Sequence, residues 1–253
     1  MRHVSRAVVT ALLMASASGL TSQAYAGTCT FGSSGEPTLQ ATFNSMLGTA
    51  AVNVQTACLS DGSDANWSVT GGTLGQVDIR VELAGNKDTN SFGVYDTVTG
   101  TRYQLFEGTD GTGATGDVRV KLSGGQWFLS LKDDQGGDAG SWTTANQVIS
   151  SGVFGFYLGT TNGIFYSNTA KNSDGTDHMY TYGPLNGGVT DPEWTGDYIQ
   201  AWEDLSGGGD RDYQDFVASL TDITPVPIPA AAWLFGSGFM ALFPRLRRRI
   251  PAA

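Results

Sequence analysis

The sequence predicts an all-β fold, a single β-sandwich or jelly-roll-like domain with one short helix near its N-terminal end. Several stretches alternate strictly between apolar and polar side chains, which is the pattern of strands with one buried and one solvated face. Glycine, asparagine, aspartate and serine punctuate the chain between these stretches. Many short strands separated by such turns are typical of sandwiches and jelly rolls.

The predicted helix begins after Pro37, a residue that suits the start of a helix, and stops at Gly48. Apolar residues recur between these two positions with a spacing of three to four, so one face of the helix is expected to be buried. These apolar residues are Leu39, Phe43, Met46 and Leu47.

The predicted strands differ in how many of their faces are apolar. The clearest alternation is V-D-I-R-V-E-L at 77–83. Residues 118–122 and 127–131 also alternate, and the S-G-G-Q turn between them predicts a hairpin. Residues 153–158 are apolar on both faces, which favours a central strand. The remaining predicted strands are 92–95, 103–106, 198–202 and 216–220.

Both ends of the chain have the composition of targeting segments. Residues 1–26 are interpreted as a signal peptide, because two arginines precede a short apolar run that ends in A-Y-A. Residues 27–222 would then form the domain and 223–229 a proline-containing linker. Residues 230–253 hold an apolar segment and an arginine-rich end, which would stay on the cytoplasmic side of the inner membrane. The 14 uncharged residues from 230 to 243 would span roughly 21 Å as a helix, less than a bilayer core of about 30 Å.

The tail V-P-I-P-A-A-A-W-L-F-G-S-G, followed by R-L-R-R-R, resembles the tripartite PEP-CTERM sorting signal of exosortase substrates. In that family a short motif, a membrane helix and a basic end are recognised and removed by a membrane-embedded, cysteine transpeptidase-like enzyme. The resemblance implies a transient transmembrane helix, an exosortase-type partner, and a final location at the cell surface or in the extracellular matrix. Here the motif reads V-P-I-P instead of P-E-P and Pro244 interrupts the apolar segment, which leaves the sorting subclass open.

The predicted domain is strongly acidic. All 24 acidic residues lie between Glu36 and Asp222, whereas six of the 14 basic residues lie in the two terminal segments. The formal charge of residues 27–222 is therefore near −16. Such a surface repels nucleic acids and attracts cations, although acidic side chains also serve solubility alone.

The two cysteines, Cys29 and Cys58, both lie in the region expected to be exported. Export leads to an oxidising compartment, so a disulfide between them is the expected state. In the chain-entropy description, such a bridge would stabilise the fold by roughly 3–4 kcal/mol.

The sequence gives little support to catalysis. The predicted domain has one histidine, His178, and no G-x-S-x-G motif, which disfavours serine hydrolysis and histidine-rich zinc chemistry. The stretch G-T-G-A-T-G at 111–116 fits a dinucleotide-binding pattern, but a strand is predicted after it where that site needs a helix. A glycoside hydrolase stays an alternative, because two carboxylates suffice for its chemistry. His178 is interpreted more readily as a turn cap or a core residue than as part of a site.

The most informative stretch is E-D-L-S-G-G-G-D-R-D-Y-Q-D at 203–215, which lies between two predicted strands. Asp210, Asp212 and Asp215 are spaced so that an irregular turn can direct all three inward, and the glycines let backbone carbonyls approach an ion. Ca²⁺ takes six to eight oxygen ligands in flexible geometry, so this pattern predicts a calcium site. The alternative is a solvated acidic hairpin clamped by Arg211.

Three stretches carry a second resemblance: F-G-V-Y-D at 92–96, F-Y-S-N-T-A-K-N-S-D-G-T-D-H at 165–178, and W-E-D-L-S-G-G-G-D-R-D-Y-Q-D at 202–215. They are similar to a bacterial domain family of unknown function found in secreted, adhesin-like and PEP-CTERM proteins, with the hallmark E-D-x3-G-G-D-R-D-[FY]-x-D. The similarity runs from about residue 39 to residue 220 and implies a β-sandwich with a calcium site. Gln214 replaces the usual asparagine before the last acid. Carried over by position, the implied ligands are Glu203, Asp204, Asp210, Asp212 and Asp215.

These observations together predict an exported, non-enzymatic protein of the cell surface or extracellular matrix, in which calcium orders the 203–215 loop. A carbohydrate-binding module is the nearest alternative, with extracellular polysaccharide as its partner. Its candidate contacts are Trp142 and Trp194, two tryptophans in loop-like sequence that could stack on sugar rings.

Overall fold

The computed structural model describes residues 29–32, 38–48, 52–70, 73–82, 89–133, 142–185 and 197–226. The expected signal peptide and sorting tail lie outside these ranges, as does Trp194. Among the described residues, no helix is both long and apolar enough to cross a membrane.

The described chain is built mainly of short strands. Its helices are α1 (Leu39–Leu47) and α2 (Asp61–Asp64), and single 3-10 turns lie at Thr169–Lys171 and Ser206–Gly208. The strands are β1 (Trp67–Val69), β2 (Leu74–Glu82), β3 (Ser91–Asp96), β4 (Arg102–Phe106), β5 (Thr115–Ser123), β6 (Gln126–Asp133), β7 (Thr144–Ile149), β8 (Phe154–Thr160), β9 (Gly163–Tyr166), β10 (Met179–Tyr182), β11 (Tyr198–Trp202), β12 (Phe216–Thr221) and β13 (Ile223–Pro225).

Within the described residues these strands form two antiparallel sheets. The smaller sheet has the order β13-β1-β8-β3-β4, and β9 also pairs with β8. The larger sheet has the order β10-β11-β12-β2-β5-β6-β7. The adjacent strands β11 and β12 lie towards one end of this larger sheet. They are connected by residues 203–215, the acidic loop.

The two sheets share one apolar core, which makes the arrangement a sandwich. Phe92 of the smaller sheet stacks on Phe216 of the larger sheet with ring centroids 4.8 Å apart, and it meets the ring of Trp202 edge-on at 5.8 Å. Trp67 contacts Tyr198 across the same layer at 5.9 Å. Because each aromatic side chain removes a large apolar area from water, these contacts hold the two layers together.

Helix α1 covers the outer face of the larger sheet at β10–β12. The Thr38 hydroxyl caps its first turn by accepting a hydrogen bond from the amide of Ala41, and Gly48 ends it at a φ of 86°. Phe43 packs edge-on against Tyr182 at 4.9 Å, in a second apolar cluster that also contains the Cys29–Cys58 disulfide. The predicted disulfide is thus confirmed.

The all-β prediction is confirmed, and all eight predicted strands and the one predicted helix are found with small shifts at their ends. The hairpin between β5 and β6 pairs Ser123 with Gln126, and Gly124 and Gly125 supply the positive φ angles that its two-residue turn requires. Residues 223–225, expected to belong to the linker, instead form β13. This strand pairs with β1 and Ile223 is fully buried, so the sandwich continues beyond residue 222.

Candidate metal centre

The acidic loop, residues 203–215, connects β11 to β12 through an unusual backbone. Gly207, Gly208 and Gly209 all have positive φ, and so do Arg211 at 59° and Tyr213 at 55°. Positive φ is costly for a residue with a side chain, by about 1–3 kcal/mol in sparsely populated regions. The loop therefore holds two strained non-glycine residues on either side of Asp212.

Tyr213 anchors the loop to the body of the protein. Its ring stacks on Tyr180 with centroids 4.0 Å apart and meets Phe31 edge-on at 5.9 Å. Its hydroxyl donates a hydrogen bond of 2.7 Å to the carbonyl of Asp177. With this side chain fixed, the acids before and after it are directed towards the start of the loop.

Three carboxylates meet at that point. One oxygen from each of Glu203, Asp212 and Asp215 lies within 4.8 Å of the other two. Glu203 is fully buried, Asp212 is 6% exposed, and Asp215 is partly buried. Three acids from one loop are thus brought together away from bulk water.

The carboxylates of these acids repel one another when they are ionised. Burial, followed by the nearby charge of Asp215, raises the pKa of Glu203 well above its ordinary value. Burial likewise raises the pKa of Asp215, with the charges of Asp204 and Asp212 adding to the effect. The ionised form of the cluster is therefore unfavourable unless a cation compensates it.

The hydrogen bonds of Glu203 leave one of its oxygens available. Its Oε1 accepts from the amide of Leu205 at 3.2 Å, whereas its buried Oε2 has no hydrogen-bond partner among the described residues. A buried, unpartnered carboxylate oxygen is costly, and a metal ion is one way to satisfy it. Gly209 lies against the same carboxylate, since a Cβ added there would stand 2.3 Å from Oε1.

Asp204 and Asn90 form the side of the cluster nearest the smaller sheet. The Asp204 amide donates to Oδ2 of Asp215 at 2.9 Å, and the Asp204 carboxylate accepts from Nδ2 of Asn90 at 3.0 Å. The Asn90 side chain is buried and its Oδ1 has no partner among the described residues. Asn90 precedes β3 and is separated from Asp204 by 114 positions, so no local sequence pattern indicates it.

Asp174 and His178 support the loop from the opposite side. Asp174 accepts hydrogen bonds from the amide of Gly207 at 2.7 Å and from Nε2 of His178 at 2.9 Å. Nδ1 of His178 in turn donates to the carbonyl of Glu203 at 3.0 Å. Partial burial acts to raise the pKa of Asp174, but hydrogen bonds from Gly207, Thr176 and His178 outweigh it and lower that pKa.

His178 is therefore both a core residue and a support of the loop. Its side chain is fully buried and its ring stacks on Phe165 with centroids 3.7 Å apart. The sequence interpretation as a turn cap or core residue matches its burial. The contact with the Glu203 carbonyl is an additional role. From the sequence, a part for His178 in the site was the less favoured interpretation.

The N-terminal segment also contacts the loop. The amide of Gly32 donates to the carbonyl of Arg211 at 3.0 Å, and a Cβ at Gly32 would collide with the carbonyl of Asp210. Cys29, three residues earlier, is tied by its disulfide to Cys58. The outer side of the loop is thus held by the first described residues of the chain.

A second acidic group lies nearby, formed by Asp61, Asp64 and Asp177. Asp64 is buried, and Asp61 accepts a hydrogen bond of 2.6 Å from the Thr169 hydroxyl. Burial and the charge of Asp61 raise the pKa of Asp177 to about 7. Burial and the charges of Asp177 and Asp61 likewise raise the pKa of Asp64 well above its ordinary value.

The five acids predicted as ligands thus occupy different positions. Glu203, Asp212 and Asp215 converge, whereas Asp204 lies beside them and is engaged by Asn90. Asp210 is exposed at the loop surface. Two oxygens bound to one Ca²⁺ ion, with bonds of about 2.4 Å, can be up to about 4.8 Å apart. The three converging carboxylates therefore fit within one coordination sphere of a calcium-sized cation.

The fold and the site together define a class: an all-β sandwich whose β11–β12 connection gathers buried acidic side chains. A family model described as a domain of unknown function (DUF4114) matches residues 135–222. This similarity covers about a third of the chain, from the approach to β7 through β12, and it includes the whole acidic loop. No curated protein and no solved structure gives a significant match to the chain.

Proposed function

We propose that the protein binds Ca²⁺ through the acidic loop, with Glu203, Asp212 and Asp215 as carboxylate ligands. The observation that carries this proposal is the buried Glu203 carboxylate, which has one oxygen without a partner in the described part of the chain and lies within 4.8 Å of two further carboxylates. Carboxylate oxygens are the preferred ligands of Ca²⁺. The carbonyls and water that such an ion also takes would complete the sphere.

The role of the ion in this proposal is structural. Calcium offsets the repulsion among the acids and so fixes the strained backbone between Glu203 and Asp215. A glycoside hydrolase would instead need two carboxylates that face a substrate groove, about 5–9 Å apart. The acids here converge on one another in a buried position, which favours ion binding over hydrolysis. The protein is accordingly proposed to be non-enzymatic.

The proposed location is the cell surface or the extracellular matrix. The Cys29–Cys58 disulfide indicates an oxidising environment and supports export. The N-terminal and C-terminal segments of the sequence add the route: a signal peptide, transient anchoring in the inner membrane, and processing by an exosortase-type enzyme. Intact-mass measurement of the exported protein tests this route. A mass that still includes residues 230–253 would contradict processing of the tail.

A thermal melt of the purified protein tests the calcium proposal. In Ca²⁺ the melting temperature is expected to lie above that in chelator, and Mg²⁺ at the same concentration is expected to have a much smaller effect. The double variant Asp212→Asn, Asp215→Asn is expected to lose the calcium response. Melts that coincide in Ca²⁺ and chelator, or an undiminished response in the double variant, would disprove the proposed site.

A carbohydrate-binding module is the second candidate, and one observation favours it. Trp142 is partly exposed, and the guanidinium of Arg119 lies 4.1 Å from the centroid of its ring. A tryptophan held in a fixed orientation beside a hydrogen-bond donor is suited to contact a sugar. This candidate does not compete with calcium binding, because Trp142 and the acidic loop are separate.

A further inference from the structure

The outer surface of the larger sheet is covered at one end and exposed to solvent at the other. At β10–β12 it is covered by α1, whereas at β5–β7 it is exposed. On β5 and β6 the inner positions Val118, Val120, Leu129 and Leu131 belong to the core, so the alternate positions face outwards. We call the outward surface of β5, β6 and β7, together with Trp142, the basic face.

The basic face has the opposite charge to the rest of the protein. The outward positions of β5 and β6 carry Arg119, Lys121 and Lys132 against a single carboxylate, Asp117. Residues 27–222 as a whole contain eight basic and 24 acidic residues. Three of the eight cations of an acidic domain are thus concentrated on two neighbouring strands.

Aromatic and apolar groups lie among these cations. Trp142 reaches across β6, since its ring lies 4.1 Å from the Arg119 guanidinium on β5. Ser130, which pairs with Arg119 and faces outwards, is consequently only 6% exposed. Phe128 pairs with both Lys121 and Val148, and the Val148 side chain is 53% exposed. The face therefore combines cations with an ordered indole and a flat apolar strip.

The acidic loop does not neutralise this face at physiological salt. Arg119 pairs with Leu74 at the start of β2, whereas Glu82 at the other end of β2 pairs with Phe216, the residue after the loop. Eight residues of strand correspond to roughly 25 Å. Because the Debye length at physiological ionic strength is about 8 Å, charges at that distance are screened.

From this combination we propose that the basic face binds a carboxylate-bearing polysaccharide, such as a polymer of uronic acids. Alternate strand positions place Arg119 and Lys121 about 7 Å apart, so the two cations form a row along β5. Guanidinium and ammonium groups bind carboxylates, and sugar rings stack on tryptophan. An open sheet surface with charges in a row suits an extended polymer. The proposal rests on the export and matrix association proposed above, but not on calcium binding.

Binding of oligogalacturonate to the purified full-length protein tests the proposal. Titration calorimetry in chelator at about 50 mM salt prevents calcium from bridging carboxylates and leaves the electrostatic contribution large. Binding is expected, and about 200 mM salt is expected to weaken it. The double variant Arg119→Gln, Lys121→Gln is expected to bind about tenfold more weakly, and Trp142→Ala about fivefold more weakly.

The matched control is Arg102→Gln, Lys171→Gln, which removes the same charge from two exposed residues of the smaller sheet and its adjoining turn. This control is expected to bind like the parent protein. Equal losses in the two double variants would overturn the proposal, as would equal affinity for a neutral dextran. Equal binding of single-stranded DNA would assign the face to polyanions in general. A dimer that the Arg119→Gln, Lys121→Gln variant abolishes would assign the face to self-association, again against the proposal.

The calcium melt separates this proposal from the metal site. Arg119→Gln, Lys121→Gln is expected to keep the full calcium-dependent shift in melting temperature, which also shows that the variant folds. Loss of glycan binding with a retained calcium shift supports the basic face. A calcium shift with no glycan binding by the parent protein refutes this inference and leaves the metal site standing.

Discussion

The substitution Glu203→Gln tests two effects of the acidic cluster separately. One is the electrostatic repulsion that destabilises the fold without a cation, and the other is the proposed binding of calcium. It preserves the shape of the side chain, and its Oε1 can still accept from the amide of Leu205. It removes one of three negative charges from the cluster with Asp212 and Asp215, and it replaces one carboxylate oxygen of residue 203 by a donor. We therefore expect opposite effects with and without calcium.

The magnitude in chelator follows from the distances. At an effective dielectric constant of about 20, two unit charges no more than 4.8 Å apart repel by at least about 3.5 kcal/mol. Glu203 takes part in two of the three pairs, but proton uptake by the cluster limits how much of this repulsion the native state bears. We expect Glu203→Gln to raise the free energy of unfolding in chelator by about 1–3 kcal/mol.

The magnitude in calcium follows from linkage. A ligand present at about a hundredfold excess over its Kd stabilises the folded state by about 2.7 kcal/mol. For a domain of this size, that corresponds to about 5–10 °C in melting temperature. Glu203→Gln removes one of the three proposed carboxylate ligands, so we expect most of this shift to disappear.

Differential scanning fluorimetry and chemical denaturation, each in calcium and in chelator, measure both effects. Glu107→Gln is the matched control, because it removes one negative charge from an exposed side chain and is expected to keep the full calcium shift. The reasoning is refuted if Glu203→Gln retains the parent calcium shift. It is equally refuted if the variant loses more than about 1 kcal/mol in chelator, since the carboxylate would then stabilise the fold without a cation.

Three further predictions concern the surroundings of the site. Gly209→Ala is expected to cost roughly 1–3 kcal/mol and to reduce the calcium shift, because the residue has a φ of 44° and the new Cβ would lie 2.3 Å from a Glu203 oxygen; thermal melts unchanged from the parent would contradict this. The pKa of Asp177 is raised to about 7, above its unfolded value, so the native state retains a proton that the unfolded chain releases. This contribution to stability is fully present below about pH 4 and is lost as the pH rises through about 7. Asp177→Asn should therefore stabilise the protein at pH 8, by at most about 4 kcal/mol, and have little effect at pH 4. Urea titrations at the two pH values measure both effects. An equal effect at both pH values would exclude that explanation. Replacing Cys29 and Cys58 by serine is expected to cost about 3–4 kcal/mol, since the bridge spans 29 positions; reductant should destabilise the parent but not the variant, and equal sensitivity of both would argue against the bridge as the cause.

The sequence allowed the strands with regular alternation to be predicted, because their burial is set by the side chains themselves. The hairpin 118–131 is the clearest case, where both strands alternate and two glycines provide the turn. Five strands were not predicted, namely β1, β7, β9, β10 and β13. For β7 and β13 the physical reason is plain. β7 is a mostly exposed edge strand with polar residues, and β13 contains a proline at its end, so neither has the pattern of a buried strand.

The acidic loop was recognisable from its sequence, but its internal geometry was not. From spacing alone, Asp210 and Asp212 were equally good candidate ligands, yet Asp210 is exposed and Asp212 is buried. The difference arises from the positive φ of Arg211 and from the anchoring of Tyr213 by Phe31 and Tyr180, which are contacts from distant parts of the chain. Local pattern can show that acids are dense, but tertiary contacts decide which of them meet.

The contact between the N-terminal segment and the acidic loop has a consequence for the order of assembly. Thr30 bonds to the hydroxyl of Tyr180, 150 positions away, and Gly32 bonds to Arg211. Under the proposed export, the N-terminal end would emerge first, and nearly the whole domain would have to follow before these contacts could form. Contacts between such distant positions form late, because the closure of long loops is entropically costly. Under the proposed export, the acidic cluster would therefore be completed only after translocation, in the oxidising compartment where the disulfide can form.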